Sequence, residues 1–233
     1  MAPTWAENTI FALVDDGNEM FIGRYIMEKG EWEVLLPVSL FQEKLDEQID
    51  ASLFRNFRMM SGDDLTFVYD DVIYRYSPVT EEVEALLEGN HIQRFEWADE
   101  HTLLLLHEMG DLFIGWLEKY DIQTGESEVI DKSVTDFVYL PDDDQVAYAK
   151  KYFLGSWCEY ELNFADIRNM KIAKNKRYYN ASLGQLFLDA DHNIFVVESH
   201  LSPDNELEVR RILRGTLGAV YITKVEDDCI GVR

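Results

Sequence analysis

Three oxygen-bearing side chains at alternating positions could coordinate a metal ion. Asp189, Asp191 and Asn193 lie in the segment LDADHNIFVVES, and alternating oxygen ligands of this kind open a calcium-binding loop. An EF-hand would also need glycine at position 194 and glutamate at position 200, where this chain has Ile194 and His200. Asp and Asn side chains stabilise tight turns by hydrogen bonding to the nearby backbone. The sequence therefore favours a turn here and leaves a weak metal site as the alternative. No cofactor is expected.

A second group of side chains has the composition of a binding surface. It contains Lys150, Lys151, Trp157, Lys174, Lys176 and Arg177. Basic and aromatic residues together can bind nucleic acid through phosphate contacts and stacking. A formal net charge of −24 repels polyanions at long range, however, so nucleic acid is not an expected partner. The group either offsets neighbouring carboxylates or binds a protein, and we take its members as candidate partner-binding residues.

No distinctive motif in the sequence points to catalysis. The five histidines include no HExxH pair, and the chain has no GxSxG elbow, P-loop or GxGxxG. His101 and His107 flank the segment TLLLL and would face the same side of a strand. Glycosidases act through paired carboxylates, but 45 acidic residues single out no pair. A carbohydrate-active, glycosidase-like enzyme is therefore the alternative to a non-catalytic binding or scaffold protein that binds a protein or a small ligand.

The negative charge is confined to one part of the chain. Residues 1–149 contain 33 acidic and 9 basic side chains, whereas residues 150–233 contain 12 of each. An acidic surface attracts basic proteins and repels anionic membranes. The sequence therefore predicts a protein partner, for which a basic protein is one candidate, and no membrane contact. An acidic inhibitor of a basic or nucleic-acid-binding protein is a further alternative.

The strands that would position these side chains follow a repeat. An apolar strand, an acidic turn and a second apolar strand recur around five aspartates: Asp16, Asp63, Asp99, Asp143 and Asp191. A period of roughly 40 to 50 residues with several short strands per unit is typical of propeller blades. We predict an all-β, propeller-like array of about five repeats of short antiparallel strands. The repeats lie roughly at residues 8–38, 55–89, 90–132, 133–180 and 181–233.

One segment departs from the strand pattern. Its apolar residues have helical spacing: Leu40, Phe41, Leu45, Ile49 and Leu53. This pattern predicts one inserted amphipathic helix at about residues 39–54. Ser39 followed by Gln42 matches a capping box, which would start the helix just after Pro37.

Two segments resemble known propeller repeats. LFLDADHNIFVVES (186–199) resembles the inner hairpin of NHL-type and gluconolactonase-like propellers, with an acidic dipeptide, a turn and an apolar run. LEKYDIQTGESEVI (117–130) resembles the outer hairpin of TolB-like and quinoprotein-like propellers, with an aromatic-Asp pair and a Thr-Gly turn. The resemblance implies a β-propeller fold and no particular activity, because propellers support many functions. It indicates no specific family.

The remaining features bear on domains and cell compartment. No Gly/Ser linker interrupts the sequence, so we expect residues 1–233 to form a single domain. Cys158 and Cys229 make no disulfide framework and lack a CxxC partner. The first residues have neither a basic region nor a long apolar run. These features together predict a cytoplasmic protein. They do not predict its oligomeric state.

Overall fold

A computed structural model describes most of the chain. The described backbone covers residues 4–6, 9–60, 63–89, 91–109, 114–154, 157–178, 181–188, 191–200, 207–212 and 219–225. Side chains are described for residues 9–60, 63–89, 91–109, 114–152, 160–172, 185–188 and 191–196. The contacts divide the chain into two compact units, Met1–Glu100 and His101–Arg233. This division falls within the third predicted repeat, and the single domain stays a prediction.

The first unit consists of antiparallel strands and one α-helix. Its elements are β1 (Thr4–Ala6), β2 (Thr9–Asp15), β3 (Met20–Ile26), β4 (Glu31–Pro37), α1 (Val38–Leu45), β5 (Phe54–Met59), β6 (Leu65–Tyr69), β7 (Val72–Ser77), β8 (Glu82–Glu88) and β9 (Ile92–Trp97). Strands β1 to β4 form one sheet in chain order, and β5 to β8 form a second.

The second unit continues the same antiparallel pattern. Its strands are β10 (Thr102–Glu108), β11 (Gly115–Asp121), β12 (Ser127–Leu140), β13 (Gln145–Leu154), β14 (Trp157–Asp166), β15 (Lys171–Tyr178), β16 (Ala181–Leu188), β17 (Ile194–His200), β18 (Leu207–Ile212) and β19 (Ala219–Val225). Strands β10 to β15 pair in chain order, as do β16 to β19. The predicted all-β architecture of short antiparallel strands is confirmed.

Strand β12 connects two repeats. Its first half pairs with β11 from Ser127 to Val134, and its second half pairs with β13 from Val134 to Leu140. Ser133, next to Val134, has a left-handed backbone, with φ 62°. The register shifts on both sides of Val134, where β12 passes from one partner strand to the other. The repeat boundary between residues 132 and 133 stays a prediction.

The acidic turns at Asp16 and at Asp70–Asp71 have the structural role that their composition predicts. The Asp16 carboxylate accepts hydrogen bonds from the backbone N–H groups of Asn18 and Glu19, at 2.8 and 3.0 Å. The bond from Glu19, followed by that from Asn18, lowers the pKa of Asp16. Asp70 and Asp71 both have positive φ between β6 and β7, as a two-residue type I′ turn requires.

The helix is shorter than its sequence pattern predicts. It ends at Leu45, because Asp46 adopts a left-handed conformation with φ 54°, and a 3-10 helix follows at Ala51–Leu53. The predicted extension to residue 54 is therefore wrong. The capping box is also wrong, since the helix starts at Val38 and Ser39 already lies within the first turn. The Ser39 hydroxyl instead donates to Glu19 Oε1 at 2.5 Å.

The apolar stripe of this segment nevertheless lies in the core. Phe41 is fully buried, and Leu40, Leu45, Ile49 and Leu53 pack against the same cluster. The ring of Phe41 lies 5.2 to 5.4 Å from four other aromatic rings: those of Phe54, Phe67, Tyr69 and Tyr74. Helix α1 therefore joins β4, which precedes it directly, to the sheet of β5 to β8.

The turns that lead into β4 and β8 both end in a residue with a left-handed backbone conformation. This residue is Gly30 (φ 68°) before β4 and Glu81 (φ 54°) before β8. A residue with a side chain destabilises the folded protein by roughly 1–2 kcal/mol when its backbone is left-handed. Glycine avoids this strain, but it makes the unfolded chain more flexible and so lowers stability by roughly 0.4–1 kcal/mol, which is less. Glu81→Gly should therefore stabilise the protein by about 0.5 kcal/mol, measured by urea unfolding.

The opposite substitution at the equivalent position is the matched control. A Cβ atom at Gly30 would meet only the Tyr25 hydroxyl, at an ordinary 3.7 Å. Gly30→Ala should therefore lose about 0.5–1 kcal/mol from backbone strain alone. A lower urea midpoint for Glu81→Gly would contradict the assigned backbone conformation.

Candidate functional site

The two outer strands of the first unit share an alternating pattern. Strand β4 begins Glu-Trp-Glu-Val at residues 31–34, and β8 begins Glu-Val-Glu-Ala at residues 82–85. Successive side chains of a strand point to opposite faces. Each strand therefore presents glutamates on one face and apolar side chains on the other. We call β4 and β8 the acidic outer strands.

Strand β8 lies in a negative electrostatic field. Glu82, Glu84 and Glu88 are exposed, and only Glu84 has a described ion pair among these three, with Arg75 Nη2 at 2.5 Å. Burial raises the pKa of Tyr74, and the carboxylates of Glu47, Asp70 and Glu88 raise it further. Burial raises the pKa of Tyr76 in the same way, and the Glu81 carboxylate adds to the effect.

Strand β4 carries exposed apolar side chains beside its glutamates. Trp32 and Val34 are 37% and 51% exposed, and Met27 in the preceding turn is 57% exposed. The rings of Trp32 and Tyr25 are 5.2 Å apart across the β3–β4 pair. Gly23 leaves room for this arrangement, because a Cβ atom there would lie 3.2 Å from the Trp32 ring. These residues were not predicted from the sequence, although the alternation of Glu with Trp and Val is visible there.

The other face of β4 is only partly neutralised. Arg24 Nε and Nη2 donate to Glu33 Oε2 at 2.9 and 2.6 Å. Glu31 and Glu28 are exposed near the same end of the strand. The first unit as a whole contains 22 acidic and 7 basic side chains. A basic partner would therefore be attracted to this unit.

The described basic candidates lie against neighbouring groups of the second unit. Lys150 forms an ion pair with Asp131, and both side chains are only 15% exposed. The Lys150 ammonium also lies 5.2 Å from the centre of the Tyr152 ring, and Lys151 lies 5.8 Å from the Tyr160 ring. These contacts support the charge-offsetting interpretation of Lys150, and its role in partner binding stays a prediction.

The other candidates of this group have only their backbone described. Trp157 begins β14, and β15 contains Lys174, Lys176 and Arg177. Their side chains lie outside the described residues. A partner-binding role for these four residues stays a prediction.

Buried polar groups surround Lys150 and were missed by sequence reasoning. The Tyr148 hydroxyl donates to Asp131 Oδ2 at 2.9 Å, and the Tyr152 hydroxyl donates to Glu161 Oε2 at 2.7 Å. Burial, followed by the Asp131 carboxylate, raises the pKa of the fully buried Tyr148. Both phenol hydroxyls donate to carboxylates and hold them in place. Because these contacts join residues on different strands, no local sequence pattern marks them.

The two histidines that flank TLLLL have different surroundings. His107 is buried, stacks on Trp116 with ring centres 4.5 Å apart, and lies 3.4 Å from Glu118 Oε1. The hydrogen bond with His107 lowers the pKa of Glu118, although burial opposes this effect. His101 is exposed and lies 3.1 Å from the Gln123 side chain.

The predicted metal ligands are only partly described. Asp191 and Asn193 lie around the turn before β17, and Asp189 lies outside the described residues. His192, between them, has Nδ1 3.0 Å from Asp142 Oδ2. In the described part of the chain, no group of three or more His, Cys, Asp or Glu could hold a metal ion. The metal site at Asp189, Asp191 and Asn193 stays a prediction.

The helix content bears on membrane insertion. Among the residues that the structure describes, no helix is long and apolar enough to cross a membrane.

Solved structures with a similar backbone arrangement include a β-propeller domain. The β-propeller domain of Cps50 (Swd1) from Myceliophteria thermophila aligns with a TM-score of 0.60 and 9% identity, over 97% of this chain and 72% of that domain. Oligogalacturonate lyase from Vibrio parahaemolyticus aligns with a TM-score of 0.60 and 13% identity, over 94% of this chain and 62% of the enzyme. An extracellular domain from B. thetaiotaomicron aligns at 0.54 and 16%, over 97% of this chain and 27% of that one.

These similarities establish the fold alone. No protein-family model matches the sequence, and no curated protein matches it. The chain spans 62% of the lyase and 27% of the extracellular domain. The β-propeller prediction is confirmed without a specific family, and the chemistry of the lyase does not transfer to this chain at 13% identity.

Proposed function

We propose that this chain is a non-catalytic binding protein whose acidic outer strands bind a basic protein partner. The observation that carries this proposal is the exposed alternation of glutamate with apolar residues on β4 and β8. Protein interfaces combine apolar anchors with a polar rim. Exposed carboxylates add attraction for a cationic partner and select against anionic ones.

The described carboxylates support binding more than acid catalysis. Hydrogen bonds and ion pairs lower the pKa of Asp16, Asp50, Glu118, Asp121 and Asp144. A general acid at neutral pH needs a raised pKa instead. These groups remain anions, as attraction of a basic partner requires.

A pull-down from the native cell lysate tests the proposal. The native protein should recover a basic protein at low salt and lose it at high salt, because salt screens attraction between exposed charges. The variant Glu31→Gln/Glu82→Gln, which removes one exposed charge from each acidic outer strand, should recover less of that protein. Glu126→Gln/Glu128→Gln removes two exposed charges from the outer hairpin of the second unit and serves as the matched control.

Two outcomes would contradict the proposal. One is that the native protein recovers no basic protein at low salt. The other is that the two variants reduce recovery equally, since the first unit would then not provide the binding surface. If nucleic acid displaces a recovered partner, that partner is a nucleic-acid-binding protein, and the result favours the acidic-inhibitor alternative, in which the same surface blocks nucleic-acid binding.

A further inference from the structure

The outer edge of β4 is open to another strand. Strand β4 is the last strand of the sheet β1–β2–β3–β4, and no strand in the described part of the chain pairs with its outer side. An edge strand presents backbone N–H and C=O groups that a further strand can use. Extended peptides bind to such edges in several recognition domains, where side-chain contacts supply the specificity.

One face of this edge offers apolar anchors. Trp32 and Val34 lie on it, with Tyr25 on the neighbouring strand and Met27 in the adjoining turn. Trp, Tyr and Met are enriched in protein interfaces, and tryptophan is frequent among the residues whose truncation costs most binding energy. An added strand would place every second side chain against Trp32 and Val34.

The opposite face offers negative charge. Glu31 and Glu33 alternate with the apolar residues, and Arg24 pairs with Glu33. The remaining side chains of an added strand would lie opposite these carboxylates. Lysine or arginine at those positions would form cross-strand pairs of opposite charge.

We propose that β4 binds an extended segment of the basic partner as an additional strand. In that segment lysine or arginine faces Glu31 and Glu33, and apolar side chains face Trp32 and Val34. The inference rests on the proposed function, because it names the binding mode of the same partner. A net charge of −24 disfavours a second copy of the chain as the occupant, since two copies repel each other at long range.

Strand β8 provides an internal comparison. It has the same alternation of glutamates, but Val83 is half-buried and Ala85 is small. The double substitution Trp32→Val/Val34→Ala converts Glu-Trp-Glu-Val of β4 into Glu-Val-Glu-Ala, the sequence of β8. The charge of β4 is unchanged while its apolar anchors are lost.

Calorimetric titration with a short peptide of alternating lysine and valine tests the proposal at low ionic strength. The double substitution should weaken binding by about tenfold or more, because it removes a tryptophan anchor. Glu31→Lys, which leaves the apolar face intact, should weaken it also. Val79→Ala is the control, since Val79 is 85% exposed at the tip of the β7–β8 hairpin and should not change binding.

A peptide of alternating lysine and proline serves as the second probe. It has the same charge but lacks backbone N–H groups at every second residue. It should bind much more weakly than the lysine-valine peptide. Urea unfolding of each variant verifies that it is folded under the titration conditions.

The outcomes separate this inference from the proposed function. Unchanged binding of the lysine-valine peptide to folded Trp32→Val/Val34→Ala and Glu31→Lys would overturn the β4 assignment and leave the proposed function standing. Equal binding of the two peptides would overturn strand addition, because attraction would then be electrostatic only. If neither peptide binds the native protein, strand addition at β4 is overturned, and the pull-down alone then decides the proposed function. A native dimer that the double substitution dissociates would identify a second copy as the occupant and overturn the inference.

Discussion

Replacing Phe41 by alanine is expected to lower the free energy of unfolding of the first unit by about 3–5 kcal/mol. The side chain is fully buried and contacts four aromatic rings, so its removal leaves a cavity among large, rigid neighbours. Edge-to-face geometry at Phe67, Tyr69 and Tyr74 adds to the loss. Because α1 follows β4 directly, the substitution should also loosen the end of that strand.

Urea unfolding followed by circular dichroism measures this effect. Phe41→Leu retains most of the volume and should cost clearly less than Phe41→Ala. Val79→Ala alters a highly exposed side chain and should change stability by less than about 0.5 kcal/mol. A loss below about 1 kcal/mol for Phe41→Ala would contradict the packing of α1 on β5 to β7.

Replacing Glu96 by glutamine is expected to cost about 3–5 kcal/mol at neutral pH. Arg58 Nε donates to Glu96 Oε2 at 2.7 Å, Arg58 Nη2 also contacts the carboxylate, and Arg94 Nη2 donates at 2.9 Å. The three side chains are largely buried. Without the carboxylate, two buried guanidinium groups lose the anion that lies between them. Glu100→Gln, in an exposed turn, is the matched control and should have little effect.

The same carboxylate gives stability a defined pH dependence. Burial alone would raise the pKa of Glu96, but Arg58 and then Arg94 override it and lower the pKa from 4.5 to about 2. Because the folded-state pKa is the lower one, the stabilisation is fully present above about pH 4.5 and is lost as the pH falls towards 2. It amounts to about 3 kcal/mol.

Urea unfolding of the native protein and Glu96→Gln across this interval measures the effect. The difference in stability between the two proteins should shrink as the pH falls from about 4.5 towards 2. A difference that stays constant over this interval would contradict the assigned ion pairs.

The repeats and turns could be predicted because their signals are local. An aspartate in a turn binds backbone N–H groups two or three residues away, as Asp16 does. Strand alternation likewise depends only on neighbours in the sequence.

Non-local contacts could not be predicted in this way. Arg58 and Glu96 are 38 residues apart in sequence, and Tyr148 and Asp131 are 17 apart. Their pairing depends on which strands become neighbours. The end of α1 escaped prediction because the apolar spacing continues to Leu53, while the chain changes direction at Asp46. The alternation of Glu with Trp32 and Val34 is visible in the sequence. It indicates a binding edge only once β4 is known to be the last strand of its sheet.

Amide hydrogen exchange in the presence and absence of the lysine-valine peptide tests the central claim most directly. Backbone pairing should slow exchange in residues 31–36, because amides at the open edge of β4 would gain hydrogen-bond partners. Trp32→Val/Val34→Ala should lose this protection while remaining folded. Peptide binding that slows exchange only outside β4 would contradict the claim that this acidic edge strand is the binding site for a basic partner.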